Sequence, residues 1–125
     1  MFIFTNPNPT EKMTGDCVIR GISILTNESW DYTYMELCKE GLLMGDLPNS
    51  NAVWASYLKS LGYKKAVIPN TCPECYTAQD FCIDHPEGKY LLCTGTHVIA
   101  CIDGNLMDAW DSSREIIIYY FYKED

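Results

Sequence analysis

Among the chain's 125 residues there is no apolar run approaching the roughly 18 that a membrane-spanning helix needs. The opening stretch Met1-Phe2-Ile3-Phe4-Thr5-Asn6-Pro7 has neither a basic segment nor a long apolar one, so it is not expected to act as a secretory signal. Basic residues are scarce: nine Lys and Arg face seventeen Asp and Glu, for a formal net charge of −8. Such a surface lacks the phosphate-neutralising patch that nucleic-acid binding needs, and anionic lipid repels it. Neither nucleic acid nor membrane is expected as a partner. Internal repeats and low-complexity tracts are also missing. Apolar side chains, by contrast, are plentiful, at 47% of the residues, with four Phe, three Trp and nine Tyr. That is enough to fill a core and argues against disorder. At roughly 100–200 residues per domain, the length predicts one domain spanning residues 1–125.

The cysteines number seven: Cys17, Cys38, Cys72, Cys75, Cys82, Cys93 and Cys101. An odd count excludes a closed disulfide framework within a monomer. With no export signal, they are expected to be reduced thiols in a cytosol. Each then needs its own explanation.

Local patterning places the elements. Residues 1–14 read as an extended lead-in, because Asn6-Pro7-Asn8-Pro9 disfavours helix before each proline. A first helix is expected from Asp16, a good N-cap residue, with Val18, Ile19, Ile22 and Leu25 on one face. Ser29 can cap a second helix to about Lys39, with Gly41 as its stop. A third is expected from Ser50 to Leu61, ending at Gly62, followed by a short strand from Tyr63 to Ile68. Thr77-Ala78-Gln79-Asp80 resembles a capping box that opens a short helix to about Asp84. After the turn at 85–88 the pattern becomes β-like: Lys89 to Thr94, His97 to Ile102, and Asn105 to Trp110. Asp103-Gly104 is a favoured pair for a two-residue hairpin turn, and Ile116 to Tyr122 reads as a buried closing strand. Helices first and antiparallel strands second make an α+β layout.

Cys17 falls at the start of the first helix. There the positive end of the helix dipole and unpaired backbone N–H groups favour thiolate, and the same N–H groups can hold a developing oxyanion. The competing reading is a small apolar filler. The hairpin supplies a partner. If Asp103-Gly104 is the turn, Ile102 pairs with Asn105, which sets His97 opposite Trp110 and Ile99 opposite Asp108. Asp108 then shares a face with His97, diagonally across the ladder. Asn105 lies on the other face, Asp103 is roughly 20 Å along the strand, and Asp111 shifts to the wrong face as second choice. Chain order thus runs nucleophile, base, orienter.

That order resembles the papain-like cysteine peptidases, in the compact bacterial and phage version related to the bacteriocin-processing peptidases. Gly15-Asp16-Cys17-Val18-Ile19-Arg20-Gly21-Ile22-Ser23 is similar to the "DCVIRAI" opening of small phage and prophage proteins of this type. Ser29-Trp30-Asp31 resembles their "SWDEVY" helix start, and residues 57–65 resemble their "LKxLGYKK" segment. Gly88 to Leu92, Thr96 to Ala100 and Asp103 to Ser112 complete the likeness, which covers nearly the whole chain from Gly15. The resemblance implies a papain-like fold with helices packed on an antiparallel sheet. It also implies Cys17 as nucleophile, His97 as general base and Asp108 as the residue orienting His97. The implied activity is cysteine-dependent hydrolysis or acyl transfer at a peptide, isopeptide or side-chain amide bond, with no cofactor required and a protein or peptide as substrate. If the gene is phage-borne, the compartment is the bacterial host cytosol.

One departure stands out. Papain-like peptidases carry a Gln about six residues before the nucleophile to complete the oxyanion hole, and here that position is Glu11. A carboxylate repels an oxyanion. The alternative donors are the Cys17 backbone N–H, Asn8 and Lys12. The same departure supports a second reading: a weak or inactive phage protein that binds or sequesters a host defence factor or small molecule in the same cleft.

The remaining cysteines divide. Cys72-x2-Cys75 followed by Cys82-x2-His85 has the spacing of a Cys3His structural zinc site. Against it, Cys82 and His85 fall on a segment read as helix, where Cys82 also fits as apolar filler beside Phe81. Cys38, Cys93 and Cys101 fit apolar positions and read as packing residues.

Overall fold

The computed structural model describes residues 1–69, 71 and 73–123. It is an α+β structure whose elements run β1 (Phe2–Phe4), α1 (Cys17–Thr26), α2 (Trp30–Met44), α3 (Asn51–Ser60), β2 (Lys64–Val67), α4 (Ala78–Asp84), β3 (Lys89–Cys93), β4 (Val98–Ile102), β5 (Asn105–Asp108) and β6 (Tyr119–Tyr122). The strands form one sheet in the order β1-β5-β4-β3-β6-β2. All pairings are antiparallel except β1 with β5.

The central strands are apolar on both faces, and the alternation of side chains sends neighbours to opposite layers. Leu91, Cys93 and Val98 join Ile22, Leu25, Leu37, Trp54, Leu58 and Phe121 in one core cluster under α1–α3. Leu92, Ile99 and Cys101 join Ala78, Phe81, Cys82, Leu106 and Ile117 in a second cluster beneath α4. The sheet is therefore covered by three helices on one side and one short helix on the other. Helix α1 packs directly across β4 and β3, and Gly21 makes that close approach feasible: a Cβ there would meet Leu91 Cδ1 at 2.9 Å.

The hairpin is as expected. Asp103 and Gly104 have φ of 49° and 77°, the two left-handed residues of a type I′ turn. Ile102 pairs with Asn105 and Ala100 with Met107.

Four local expectations need correction. Helix α2 does not stop at Gly41 but continues to Met44 and ends at Gly45, whose φ is 67°. Gly41 is instead a contact point, where a Cβ would lie 2.8 Å from the Asp46 carbonyl oxygen. The lead-in is extended, but it also contributes Phe2–Phe4 as an edge strand parallel to β5. Asp16 occupies the N-cap position of α1 without capping it, because its side chain makes no cap hydrogen bond. The closing strand is shorter and only half buried: Ile117 and Phe121 are inside, whereas Ile116 and Ile118 are exposed. No helix among the described residues is long and apolar enough to cross a membrane.

Candidate active site

Cys17 opens α1, and its side chain reaches a cleft of about 220 Å³ at the rim of the sheet. The cleft wall opposite is the connection between β3 and β4, including Thr94, Gly95, Thr96 and His97. That connection is tied by its own side chain. Thr94 Oγ1 accepts the backbone N–H groups of Thr96 at 3.1 Å and of His97 at 2.8 Å. The Thr94 N–H in turn donates to the His97 carbonyl at 2.9 Å. His97 is thereby held just before β4 begins. The Trp110 ring leans on its imidazole with centroids 4.6 Å apart, leaving His97 only 8% exposed.

The imidazole has two neighbours. Its Nε2 lies 2.7 Å from Asp108 Oδ2, and the ring shares the cleft with the Cys17 thiol, close enough for each to shift the other's titration. Since Nε2 is engaged by Asp108, Nδ1 is the nitrogen left for Cys17. Asp108 sits at the end of β5 and is 3% exposed. Four donors hold its carboxylate. Oδ2 also accepts from Ser112 Oγ at 2.7 Å, while Oδ1 accepts the Ala109 N–H at 2.7 Å and Arg20 Nη2 at 3.4 Å.

These contacts set the charges. Burial by itself penalises ionised Asp108, but hydrogen bonds from His97 and Ser112, with the His97 charge, outweigh it and hold the carboxyl below its usual range. Burial likewise opposes a charged His97, yet its bonds to Asp108 and Cys17 prevail and raise the imidazole to about 9. Burial would raise the Cys17 thiol. The His97 hydrogen bond and charge, the Val98 backbone N–H and the more distant Arg20 reverse that and lower it. Each of these shifts favours a thiolate beside an imidazolium, backed by a carboxylate, over the neutral pair.

A second group behind the cleft escaped sequence reasoning. Arg20 lies one turn along α1 and is 4% exposed. Its Nη1 pairs with Asp16 Oδ1 and also reaches the Thr14 carbonyl at 3.3 Å, while Nη2 faces Asp108. Asp16 also accepts from Trp30 Nε1 at 2.9 Å and from Asn8 Nδ2 at 3.3 Å. The Asp16–Arg20 spacing of four residues is the one visible signal in the sequence. Nothing in that spacing indicates that the guanidinium continues to Asp108, 88 residues away.

The oxyanion donors fare differently. The Asn8 amide is spent on Asp16, and Asn8 and Lys12 line an adjacent cavity of about 480 Å³ with Trp30 and Tyr34. Neither lines the Cys17 cleft, whose other polar walls include Asn49 and Asn51. Glu11 is exposed at a positive φ of 57°. The backbone N–H groups at the start of α1 are left without a side-chain cap.

Among the described residues, the zinc spacing does not close into a ligand set. Cys72 lies outside the described residues. Cys82 Sγ is buried against Cys101 Sγ at 3.1 Å. The His85 ring stacks on Phe81 at 3.8 Å, and its Nδ1 lies 2.9 Å from the Phe81 carbonyl. Cys82 on α4 thus faces the core, and His85, just past its end, lies on the core's aromatic lining. Among the described residues, no three His, Cys, Asp or Glu are grouped to hold a metal ion. Cys93 and Cys101 are fully buried, as packing residues would be. Cys38 is half-buried.

No family model matches the chain, and no curated protein or solved structure matches it.

Proposed function

We propose that the chain is a papain-like cysteine hydrolase or acyl transferase in which Cys17 attacks an amide or isopeptide carbonyl. The observation that carries this reading is the position of His97, which lines the same cleft as Cys17 and bonds through Nε2 to Asp108 at 2.7 Å. The Cys17 thiolate forms a bond to the carbonyl carbon, and charge develops on the carbonyl oxygen. The uncapped N–H groups of the first turn of α1 supply donors and a positive dipole end for that oxygen. His97 then gives its proton to the leaving nitrogen as the C–N bond breaks, leaving a thioester on Cys17. In hydrolysis, His97 takes a proton from water, the water oxygen attacks the thioester, and the acid departs as the thiolate–imidazolium pair is restored. In transfer, an amine replaces the water. Asp108 keeps the ring oriented and favours its charged form.

A binding-only role for the same cleft is supported by one feature, the exposed Glu11 where the family places an amide donor. Removing one oxyanion donor costs about 2.7–4 kcal/mol of transition-state stabilisation, which slows acyl transfer without abolishing it. Alkylation by iodoacetamide separates the two readings. The hydrolase reading expects Cys17 to react at about pH 6 faster than a model thiol, whose thiolate is scarce there. Reaction no faster than the model thiol would favour a binder and sink the enzyme reading.

A further inference from the structure

On the opposite side of the sheet from Cys17, two thiols meet without any role in the proposed reaction. Cys82 comes from α4 and Cys101 from β4, and their sulfurs are 3.1 Å apart in the second core cluster. Both are free thiols. A disulfide needs sulfurs at about 2.05 Å with closely spaced Cβ atoms, so roughly 1 Å of approach separates the pair from a bond. Their access differs. Cys101 is fully buried, whereas Cys82 is 4% exposed and forms part of the wall of a surface cavity of about 520 Å³. The cavity opens between α4 and the β4–β5 turn, with Pro86, Asp103 and Gly104 at its edge. Of the two cysteines, Cys82 and not Cys101 lines the cavity, so a small oxidant entering there comes nearer to Cys82. Either sulfur can donate in this contact, which acts to lower the Cys82 thiol and to raise Cys101.

We propose that Cys82 and Cys101 form a peroxide-sensitive thiol pair that closes to a disulfide between α4 and β4. The Cys82 thiolate attacks one oxygen of a hydroperoxide, the O–O bond breaks, and Cys82 becomes a sulfenic acid while hydroxide leaves. The Cys101 sulfur then attacks the Cys82 sulfur, the S–O bond breaks, and the Cys101 proton and the departing hydroxide form water. Two thiols lose two electrons in all, and hydrogen peroxide is reduced to two waters. The link would join the short helix to the strand next to β5, which carries Asp108. The pair stands apart from the proposed reaction, because Cys17 takes no part in it.

The test uses the full chain, treated with hydrogen peroxide, alkylated under denaturing conditions and cleaved at Lys and Asp. Cleavage isolates Cys82 on residues 80–83, away from Cys75, and leaves Cys93 and Cys101 on residues 90–102. The expected product is a cross-link between those two fragments. It should lose alkylation at Cys82 and Cys101 together, reverse with dithiothreitol and persist in Cys17→Ala. Cys101→Ser should abolish the link and leave oxidised Cys82. Recovery of both thiols alkylated after Cys17 has been fully oxidised would overturn the proposal. So would Cys82 found as sulfinic acid or bonded to Cys75 in the unmutated chain.

Discussion

Replacing Asp108 with Asn isolates the charge behind His97 from its geometry. The amide has nearly the shape of the carboxylate, and its oxygen can still accept the ring N–H, so the imidazole keeps its orientation while the countercharge disappears. In the parent chain, His97 is raised from 6.5 to about 9, which corresponds to about 3 kcal/mol of preference for imidazolium. Asp108 is the first group that raises it, with Cys17 next, and burial works against both. Without the carboxylate, burial pulls the ring toward neutrality, and Cys17 loses its nearest cation. Its thiol midpoint must then rise. Once the midpoint lies above the assay pH of about 6, each unit of rise cuts the thiolate fraction roughly tenfold, while intrinsic nucleophilicity climbs about threefold. The net loss is about threefold per unit, so alkylation at that pH is expected to slow severalfold. The assay is the pseudo-first-order rate of Cys17 modification by iodoacetamide across the pH range, followed by peptide mass. Circular dichroism checks that the variant folds. An unchanged midpoint, with a rate within about twofold of the parent at pH 6, would refute the electrostatic argument.

Two further outcomes follow from the same network. In the parent chain, the raised His97 and lowered Cys17 act in opposite directions on proton uptake, so their effects on stability oppose each other as pH changes. Cys17→Ser removes the sulfur side and exposes the ring side. A raised pKa contributes stability that is complete below about 6.5 and lost as pH rises through the folded value; with Asp108 kept and the Cys17 contribution gone, urea stability of this variant should fall above about pH 6.5 by less than the roughly 3 kcal/mol of the full shift. A slope of opposite sign in urea titrations would contradict the assignment. Arg20→Ala leaves the buried Asp16 and Asp108 carboxylates without their shared cation. Its expected cost is about 3–5 kcal/mol, read as a lowered urea midpoint at pH 7. A loss under about 1 kcal/mol would mean that Arg20 does not hold the two carboxylates together.

What was legible in the chain is what neighbours in sequence decide. Ser29 and Thr77 announce helix starts because their oxygens bond to N–H groups three residues on, at 3.0 Å and 3.2 Å. Asp103-Gly104 announces a turn because both residues accept left-handed backbone. The turn sets the register, and the register brings Asp108 to the side of His97. That half of the candidate site followed from pleat geometry alone. Gly41 and Gly45 show the limit: both could stop a helix, and only the packing of residues 46–48 against Gly41 selects the second. Phe2–Phe4 gave no hairpin signal, because its partner lies about a hundred residues away and is joined in parallel. Asp16 is a good cap by type, but the fold recruits its carboxylate for Arg20, Trp30 and Asn8 instead. The cysteines divide along the same line. Cys17 was marked by its place at a helix start, a local property. The meeting of Cys82 with Cys101 appears only when α4 is laid on β4, since spacing along a chain constrains nearby contacts and packing chooses the distant ones.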